Sequence, residues 1–171
     1  MKIKDISLCG LFSALLAICA WISFPVFGLP VTLQTFGLHF SLLLLGGKRG
    51  CFAIFVYLSL GILGLPVFSG FGGGIGTLLG PTGGYLWGFL AGGLLYWGIT
   101  AWKGIRAKLS AAILAQICCY ICGSLWFSLQ FANENSLWRV FLTIALPFLL
   151  PDALKLGLAY LLARRLRRHI S

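Results

Sequence analysis

Long apolar runs alternate with short, more polar connections along the whole chain. They predict six membrane-spanning helices, at residues 6–24, 33–47, 51–65, 85–102 and 109–131 and in a last region, 137–166, which we expect to be broken near Pro147 and Pro151. A helix perpendicular to the bilayer needs about 20 residues to cross it, with a range of about 17–25. The second and third runs are shorter than this, so we expect them to borrow residues from the neighbouring connections.

The composition agrees with this pattern. Hydrophobic residues make up 60% of the 171 residues and charged residues only 9%, whereas soluble domains average about 25% charged residues. No linker or low-complexity tract divides the chain. The first run is longer than the apolar part of a signal peptide and lacks a clean cleavage site before Pro25, so we expect it to be retained. The predicted fold class is an all-α integral membrane protein with one six-helix domain, residues 1–171.

The basic residues predict the orientation of the helices. They occur in alternate connections and at both termini: Lys2, Lys4, Lys48, Arg49, Lys103, Arg106, Lys108, Arg164, Arg165, Arg167 and Arg168. The opposite connections hold only Arg139, offset by Glu134. Since cytoplasmic loops carry the excess of Lys and Arg, both termini are predicted to be cytoplasmic in a multi-pass protein of the cytoplasmic membrane. The net charge of +10 then serves topology and contact with anionic lipids, and a nucleic-acid partner is not expected.

The outward connection between the third and fourth helices is rich in glycine. It reads GLPVFSGFGGGIGTLLGPTGGY, with nine glycines between Gly64 and Gly84, and its other residues are largely apolar. Glycine lets a backbone fold tightly, approach a ligand closely and present its N–H groups. Irregular backbone at membrane depth is tolerated where it is buried in protein or lines a cavity. We therefore predict a compact lid over a small-molecule pocket. A loop that only packs on the helices is the alternative.

Signals for chemistry are sparse. Neither GFGGGIG nor GGKRG has the spacing of a nucleotide-binding loop, so the chain is not expected to hydrolyse ATP itself. Cys119 and Cys122 form a C-x-x-C inside an apolar run, where cysteine usually packs as a small hydrophobe. The two histidines, His39 and His169, lie far apart in sequence. The sequence therefore predicts no catalytic residues, no metal site and no cofactor.

Two charges stand out in the last apolar region. Asp152 and Lys155 lie three residues apart, on one face of a helix that we expect to start at Pro151. Lys155 precedes Arg164 by nine residues, or roughly 14 Å of helix, which places it inside the hydrocarbon layer. A charge there costs at least about 2.5–3.5 kcal/mol and usually marks a site or a pair. Asp152 and Lys155 either neutralise each other as a structural pair or meet an anionic or strongly polar ligand.

Four segments together give the chain a family resemblance. VTLQTF, GLPVFSGFGGG, LLGPTGGYLWGF and PFLLPDALK resemble the BioY family, the biotin-specific S components of energy-coupling factor (ECF) transporters, in order and spacing over nearly the whole chain. The resemblance implies a six-helix membrane subunit that captures biotin from outside. It also implies a partner module, with a transmembrane T component and two ATPase subunits, that drives import. Biotin is then a transported substrate and not a cofactor.

The resemblance also implies a set of substrate-binding residues. Asp152 and Lys155 lie in its P-x-x-x-P-D-x-x-K run, and the segment from Phe68 to Tyr85 forms its loop. The predicted substrate-binding set is Asp152, Lys155, Tyr85, Thr82, Gly83, Gly84, Gln34, Phe68, Phe71, Gly73, Gly74 and Trp87.

Biotin matches the chemistry of that set. Aromatic side chains would cover its apolar bicycle: Phe68, Phe71 and Trp87. Gln34, Thr82, Asp152 and backbone N–H groups of the lid would bond the ureido atoms. Lys155 faces the carboxylate in one pose, and in the other both Lys155 and Asp152 lie near the ureido ring.

S components also dock on their partner through small residues of the first helix, typically Ala-x-x-x-Ala. The nearest matches here are Gly10-x-x-x-Ala14 and Ser13-x-x-x-Ala17, and the Gly88-x-x-x-Gly92 pair of the fourth helix is an equal candidate. Small residues at this spacing allow close approach of helices.

Other functions remain open at this point. The polar set alone also suits an S component for another vitamin or small anionic metabolite. An intramembrane enzyme would need a nucleophile or a metal cluster, and a structural membrane protein would need neither the lid nor the buried pair.

Overall fold

A computed structural model describes residues 3–26, 29–103, 107–131 and 146–170. This part of the chain is largely helical, as predicted. The long helices are α1 (Ile3–Trp21), α2 (Gln34–Leu45), α3 (Gly47–Ile62), α5 (Gly83–Lys103), α6 (Lys108–Phe131) and α7 (Leu146–Ile170). A 3₁₀ turn (Ser69–Phe71) and a short helix, α4 (Ile75–Leu79), lie in the glycine-rich segment between α3 and α5.

Three stretches of helix in the described residues are long and apolar enough to cross a membrane: Ile3–Trp21, Lys108–Gln130 and Leu146–Arg167. Helix α2 has 12 residues and is therefore about 18 Å long, well short of a hydrocarbon layer of about 30 Å. The chain is a membrane protein with several apolar helices, in which α2 is too short to span the bilayer unaided.

A small β-hairpin, which the sequence did not predict, precedes α2. Strands β1 (Ser23–Val26) and β2 (Leu29–Thr32) pair antiparallel, with Ser23 opposite Thr32 and Pro25 opposite Pro30. Neither proline can donate a backbone hydrogen bond, which suits a short, two-stranded element better than the centre of a sheet. The prediction of helix through residue 24 is therefore wrong at its last residues, since α1 ends at Trp21.

Helices α2 and α3 are joined by a single residue, Gly46. Its φ of +86° lies in a region that favours glycine, and it lets the chain change direction at once. Lys48 and Arg49 therefore lie in the first turn of α3, and not in a loop between residues 47 and 51 as expected. Close packing follows the turn, because a Cβ on Gly50 would lie 2.9 Å from the Cα of Leu42.

Glycines bring α5 and α6 into close contact. A Cβ on Gly88 would lie 2.9 Å from the Cα of Cys119, and one on Gly92 would lie 2.7 Å from the carbonyl oxygen of Ala115. This pair therefore packs two helices of the same chain together. Its assignment as a docking surface for a partner is wrong, because α6 already covers it.

The small residues of α1 lie on two different faces. Ser13 and Ala17 are buried, and the Ser13 hydroxyl donates a 2.7 Å hydrogen bond to the carbonyl oxygen of Ala53 in α3. Gly10 and Ala14 are exposed, and a Cβ on Gly10 would meet no atom within 4 Å. Of the two predicted motifs, only Gly10-x-x-x-Ala14 is on the surface of the chain. Ser13-x-x-x-Ala17 is an internal contact.

The last helix is continuous where a break was expected. Helix α7 begins at Leu146, with Pro147 in its first turn and Pro151 inside it, so the predicted start at Pro151 is wrong. Proline has no N–H, but Pro151 is only the sixth residue of the helix, and one early hydrogen bond is lost. The short helical piece expected at residues 137–146 lies outside the described residues except for Leu146, which is the first residue of α7.

Candidate substrate site

The carboxylate of Asp152 accepts four hydrogen bonds inside the helical bundle. Asp152 is 4% exposed. Its Oδ1 accepts from the Thr35 hydroxyl and from Lys155 Nζ, both at 2.8 Å. Its Oδ2 accepts from the Tyr120 hydroxyl at 2.7 Å and from Gln116 Nε2 at 3.1 Å. An ionised carboxylate only accepts hydrogen bonds, so this set of donors suits a charged Asp152.

The Lys155 ammonium group makes three hydrogen bonds, compared with four for the Asp152 carboxylate. Its Nζ donates to the carbonyl oxygen of Thr32 at 2.7 Å, to Asp152 at 2.8 Å and, at a longer 3.3 Å, to the Thr35 hydroxyl. The two charged side chains are 11% and 5% exposed, so the ion pair is buried and has no net charge. A ligand that reaches Lys155 would compete most easily with the longest of these bonds.

Four elements supply this cluster. The ion pair lies near the start of α7, at a spacing of three residues. Gln116 and Tyr120 lie four residues apart on α6, which places both on the face toward α7. Thr35 is the second residue of α2, and Thr32 ends β2. The turn between the hairpin and α2 thus brings a backbone carbonyl and a hydroxyl to the same ammonium group.

The cluster lines a cavity of about 200 Å³. Polar atoms come from the ion pair and its partners, and apolar side chains make up most of the remaining surface. The lining residues are Thr32, Gln34, Thr35, Phe68, Ser69, Thr77, Thr82, Tyr85, Leu86, Phe89, Gln116, Cys119, Tyr120, Phe148, Asp152 and Lys155. An apolar cavity with a few convergent polar groups is the usual form of a small-molecule site.

Half of the predicted substrate-binding residues line this cavity: Asp152, Lys155, Gln34, Phe68, Thr82 and Tyr85. Gln34 donates a 2.7 Å hydrogen bond from Nε2 to the Tyr57 hydroxyl, and the ring of Phe68 meets that of Tyr57 edge-on, with centroids 5.5 Å apart. Both side chains are therefore held in place by the core. The Tyr85 hydroxyl is buried without a hydrogen-bond partner among the described residues, so it can serve a polar ligand atom.

The other six predicted residues do not line the cavity. Phe71 is 64% exposed and stacks on Trp21 with ring centroids 5.2 Å apart. Trp87 is 41% exposed on the outer side of α5. Neither aromatic ring is placed to cover a ligand in the cavity. The remaining four are glycines of the predicted lid: Gly73, Gly74, Gly83 and Gly84.

These glycines allow the segment to fold tightly on itself and on the bundle. A Cβ on Gly83 would collide with the backbone of Leu78, and one on Gly84 would collide with Trp126. The Gly74 N–H donates to the carbonyl oxygen of Gly61 at 2.7 Å. The segment is compact, as predicted, but its glycines make contacts within the protein.

Sequence reasoning missed several lining residues, above all Thr35, Gln116 and Tyr120. One signal was available: Gln116 and Tyr120 are polar residues four apart in an otherwise apolar run, on one helical face. Thr35 lies next to Gln34 in the VTLQTF segment, so it was an equally good candidate from sequence. The apolar lining of Leu86, Phe89 and Phe148 carried no such signal, because most residues around them are apolar too.

The sequence matches the BioY family across residues 1–171. The chain belongs to the BioY family. This confirms the resemblance read from the four sequence segments.

Relatives cover nearly the whole chain. It is 37% identical over 167 residues to the "Probable biotin transporter BioY" of Pyrococcus horikoshii, with 98% of each chain covered. It is 38% identical over 161 residues to the "Biotin transporter BioY" of Thermotoga maritima, with 93% of each covered. BioY family relatives are thus named as transporters, and the prediction that the chain is not an enzyme is confirmed.

A solved structure shares the fold. The crystal structure of the S component for biotin from an ECF-type ABC transporter superposes with a TM-score of 0.84, at 29% identity, and the match covers 98% of this chain and 92% of that one. The fold of this BioY family member is therefore that of an S component.

Proposed function

We propose that this chain is the substrate-binding membrane subunit for biotin uptake, which captures biotin for import by a partner module. Membership of the BioY family supports the proposal. The observation that carries it is the cavity in which the buried Asp152–Lys155 pair is held by donors from α2 and α6. A structural ion pair needs no cavity, whereas a ligand site needs both the space and the fixed polar groups.

The geometry favours the ureido ring of biotin next to the ion pair. The ring is neutral and offers one carbonyl acceptor and two N–H donors. The pair also has no net charge, and the Lys155 N–H groups are directed at acceptors of the protein. A second carboxylate beside Asp152 would be repelled. The carboxylate of biotin then lies toward the hydroxyl groups that residues 69–82 add to the cavity, those of Ser69, Thr77 and Thr82.

We further propose six membrane spans with both termini in the cytoplasm. The alternation of basic connections supports this topology. The glycine-rich segment between α3 and α5 then faces outward and forms the lid of the cavity, since Phe68, Ser69, Thr77 and Thr82 all contribute to its lining. The membrane is the cytoplasmic membrane of the cell.

The partners we propose are a transmembrane T component and two ATPase subunits of an ECF module. The chain has no nucleotide-binding loop, so ATP hydrolysis has to come from another protein. Gly10 and Ala14 support docking through α1, because they are exposed at a spacing that admits a second helix.

The test is a calorimetric titration of the purified protein in detergent with biotin, with thiamine and riboflavin as competitors. Biotin alone should bind, with one site per chain. Absence of biotin binding by a folded protein, or tighter binding of another vitamin, would refute the proposal. Binding should not require ATP, whereas uptake should.

A further inference from the structure

His39 is a buried polar residue that the cavity does not explain. It lies in α2 with no exposed surface, and it is not among the residues that line the cavity. Its Nε2 is 2.6 Å from Oε1 of Gln116 in α6. Its Nδ1 is buried without a hydrogen-bond partner among the described residues. Burying an imidazole in this way costs free energy, so the hydrogen bond between His39 and Gln116 calls for an explanation.

That contact continues into the site. The amide of Gln116 accepts from His39 at Oε1 and donates from Nε2 to Oδ2 of Asp152. Because a carboxylate accepts only, the amide must turn its NH₂ group toward Asp152 and its carbonyl toward His39. A carbonyl also accepts only, so His39 donates from Nε2. The three residues form one directed chain of hydrogen bonds, His39 to Gln116 to Asp152, across α2, α6 and α7.

Asp152 and His39 together fix the direction of this chain, one at each end of the Gln116 amide. The two ends of a glutamine amide have nearly the same shape, so packing alone does not choose between them. Without a donor at position 39, the Gln116 carbonyl is either left buried and unpaired or turned toward the Asp152 carboxylate, which repels it. In the second case Asp152 loses this donor, and in the first it keeps a donor whose amide is no longer held at its other end. Hydrogen bonds in such a chain also strengthen one another.

We propose that His39 is a positioning residue for biotin binding, which acts through Gln116 to hold the Asp152 carboxylate in its ligand-binding orientation. The inference rests on the proposed function, since it assigns Asp152 a role toward biotin. His39 does not contact the ligand in this scheme. Its contribution is the single N–H that fixes the amide.

The experiment compares biotin affinity, by calorimetry, in variants of position 39. His39→Leu removes the donor and should weaken binding by about tenfold. His39→Gln places an amide N–H near the position of Nε2 and should restore affinity to within about threefold of wild type. His39→Asn is polar but too short to reach Gln116, and it should behave like His39→Leu. Ser41→Ala is the matched control, since this buried hydroxyl on the same helix bonds, among the described residues, only to Gly37 of its own helix.

A second background separates positioning from a general role in packing. In Asp152→Asn, the side chain at position 152 can donate or accept, so the orientation of Gln116 no longer matters. His39→Leu should then cause no further loss of affinity. His39→Asn provides the same comparison if the leucine variant does not fold.

Three results would overturn the inference while leaving the proposed function intact. They are wild-type affinity in a folded His39→Leu protein, failure of His39→Gln to restore binding, and an equal loss in both backgrounds. If the wild-type protein itself does not bind biotin, the proposed function fails and the inference fails with it.

Discussion

The Tyr120 hydroxyl lies 2.7 Å from Oδ2 of Asp152, across a sequence separation of 32 residues. It is one of four donors that converge on this carboxylate from three elements of the chain. The contact joins α6 to α7 inside the cavity. The cluster around Asp152 is therefore built between helices, and its donors can be removed one at a time.

Tyr120→Phe removes the hydroxyl and leaves the ring in place. Asp152 then loses one donor in a buried site, and biotin affinity should fall by about five- to tenfold in calorimetry. Tyr96→Phe is the matched control, because the Tyr96 hydroxyl is also buried but has no hydrogen-bond partner among the described residues. Its affinity should stay within about twofold of wild type. Equal affinity for the Tyr120 variant and wild type would show that this hydroxyl does not contribute to biotin binding.

Lys155→Ala leaves Asp152 without its nearest cation. Truncating one partner of a buried charge pair typically costs about 2–5 kcal/mol of binding, so biotin affinity should fall by more than tenfold. Lys155→Arg should restore binding only in part, because guanidinium is larger and differently shaped. Wild-type affinity in a well-folded Lys155→Ala protein would reduce the pair to a structural role.

The same variant distinguishes the two poses of biotin. With the ureido ring beside the ion pair, Lys155→Ala should keep the wild-type preference for biotin over its carboxyl-amide analogue while both bind more weakly. If Lys155 faces the carboxylate, the preference should be lost. The measurement is the ratio of the two dissociation constants in wild type and variant.

Gly88→Ala should destabilise the bundle. The new Cβ would lie 2.9 Å from the Cα of Cys119, a backbone atom that cannot move alone, and overpacking of this kind costs about 1–3 kcal/mol. Gly98→Ala on the same helix is the control, since its Cβ would meet nothing within 4 Å and alanine favours a helix. Thermal unfolding in detergent should show a lower midpoint for the first variant only. A midpoint at or above wild type for Gly88→Ala would contradict the close packing of α5 on α6.

Cysteine labelling tests the topology. A cysteine at Gly76, which is exposed on the short helix α4 in the segment between α3 and α5, should react with an impermeant thiol reagent added to intact cells. A cysteine at Lys103, exposed at the end of α5, should react only after the membrane is opened. Both variants are made in a background in which the six native cysteines are replaced. The reverse pattern would place the lid on the cytoplasmic side.

Docking on the T component can be separated from ligand binding. Gly10→Trp adds bulk to the exposed face of α1 and should abolish co-purification with the ECF module and biotin uptake, with biotin affinity unchanged. Gly98→Trp is the control, because this glycine is also exposed with open space around it, on α5. Retained assembly in the Gly10 variant would move the docking surface away from α1.

The sequence by itself determined the membrane class, the helical content and the ion pair. Apolar runs and few charges identify membrane helices because hydrocarbon excludes charge. Asp152 and Lys155 were found because a local spacing of three residues puts them on one helical face in a region where charge is costly. The glycine-rich and proline-bracketed segments carried the family resemblance. Their glycines, prolines and charges are unusual in a chain of apolar helices, so they are also recognisable from local sequence.

Only the tertiary structure decided which residues face each other. Gln116 and Tyr120 lie 36 and 32 residues from Asp152, and Thr35 lies 117 residues away, so no local pattern joins them. In a membrane protein, residues that face lipid and residues that face the core are both apolar, and periodicity therefore does not tell the two faces apart. This is why Ser13 and Ala14 were not distinguishable in sequence, although one binds α3 and the other is exposed. It is also why Trp87 was predicted to line the site, although it lies on the outer side of α5. The contact of His39 with Gln116 became visible only in the packing of α2 against α6.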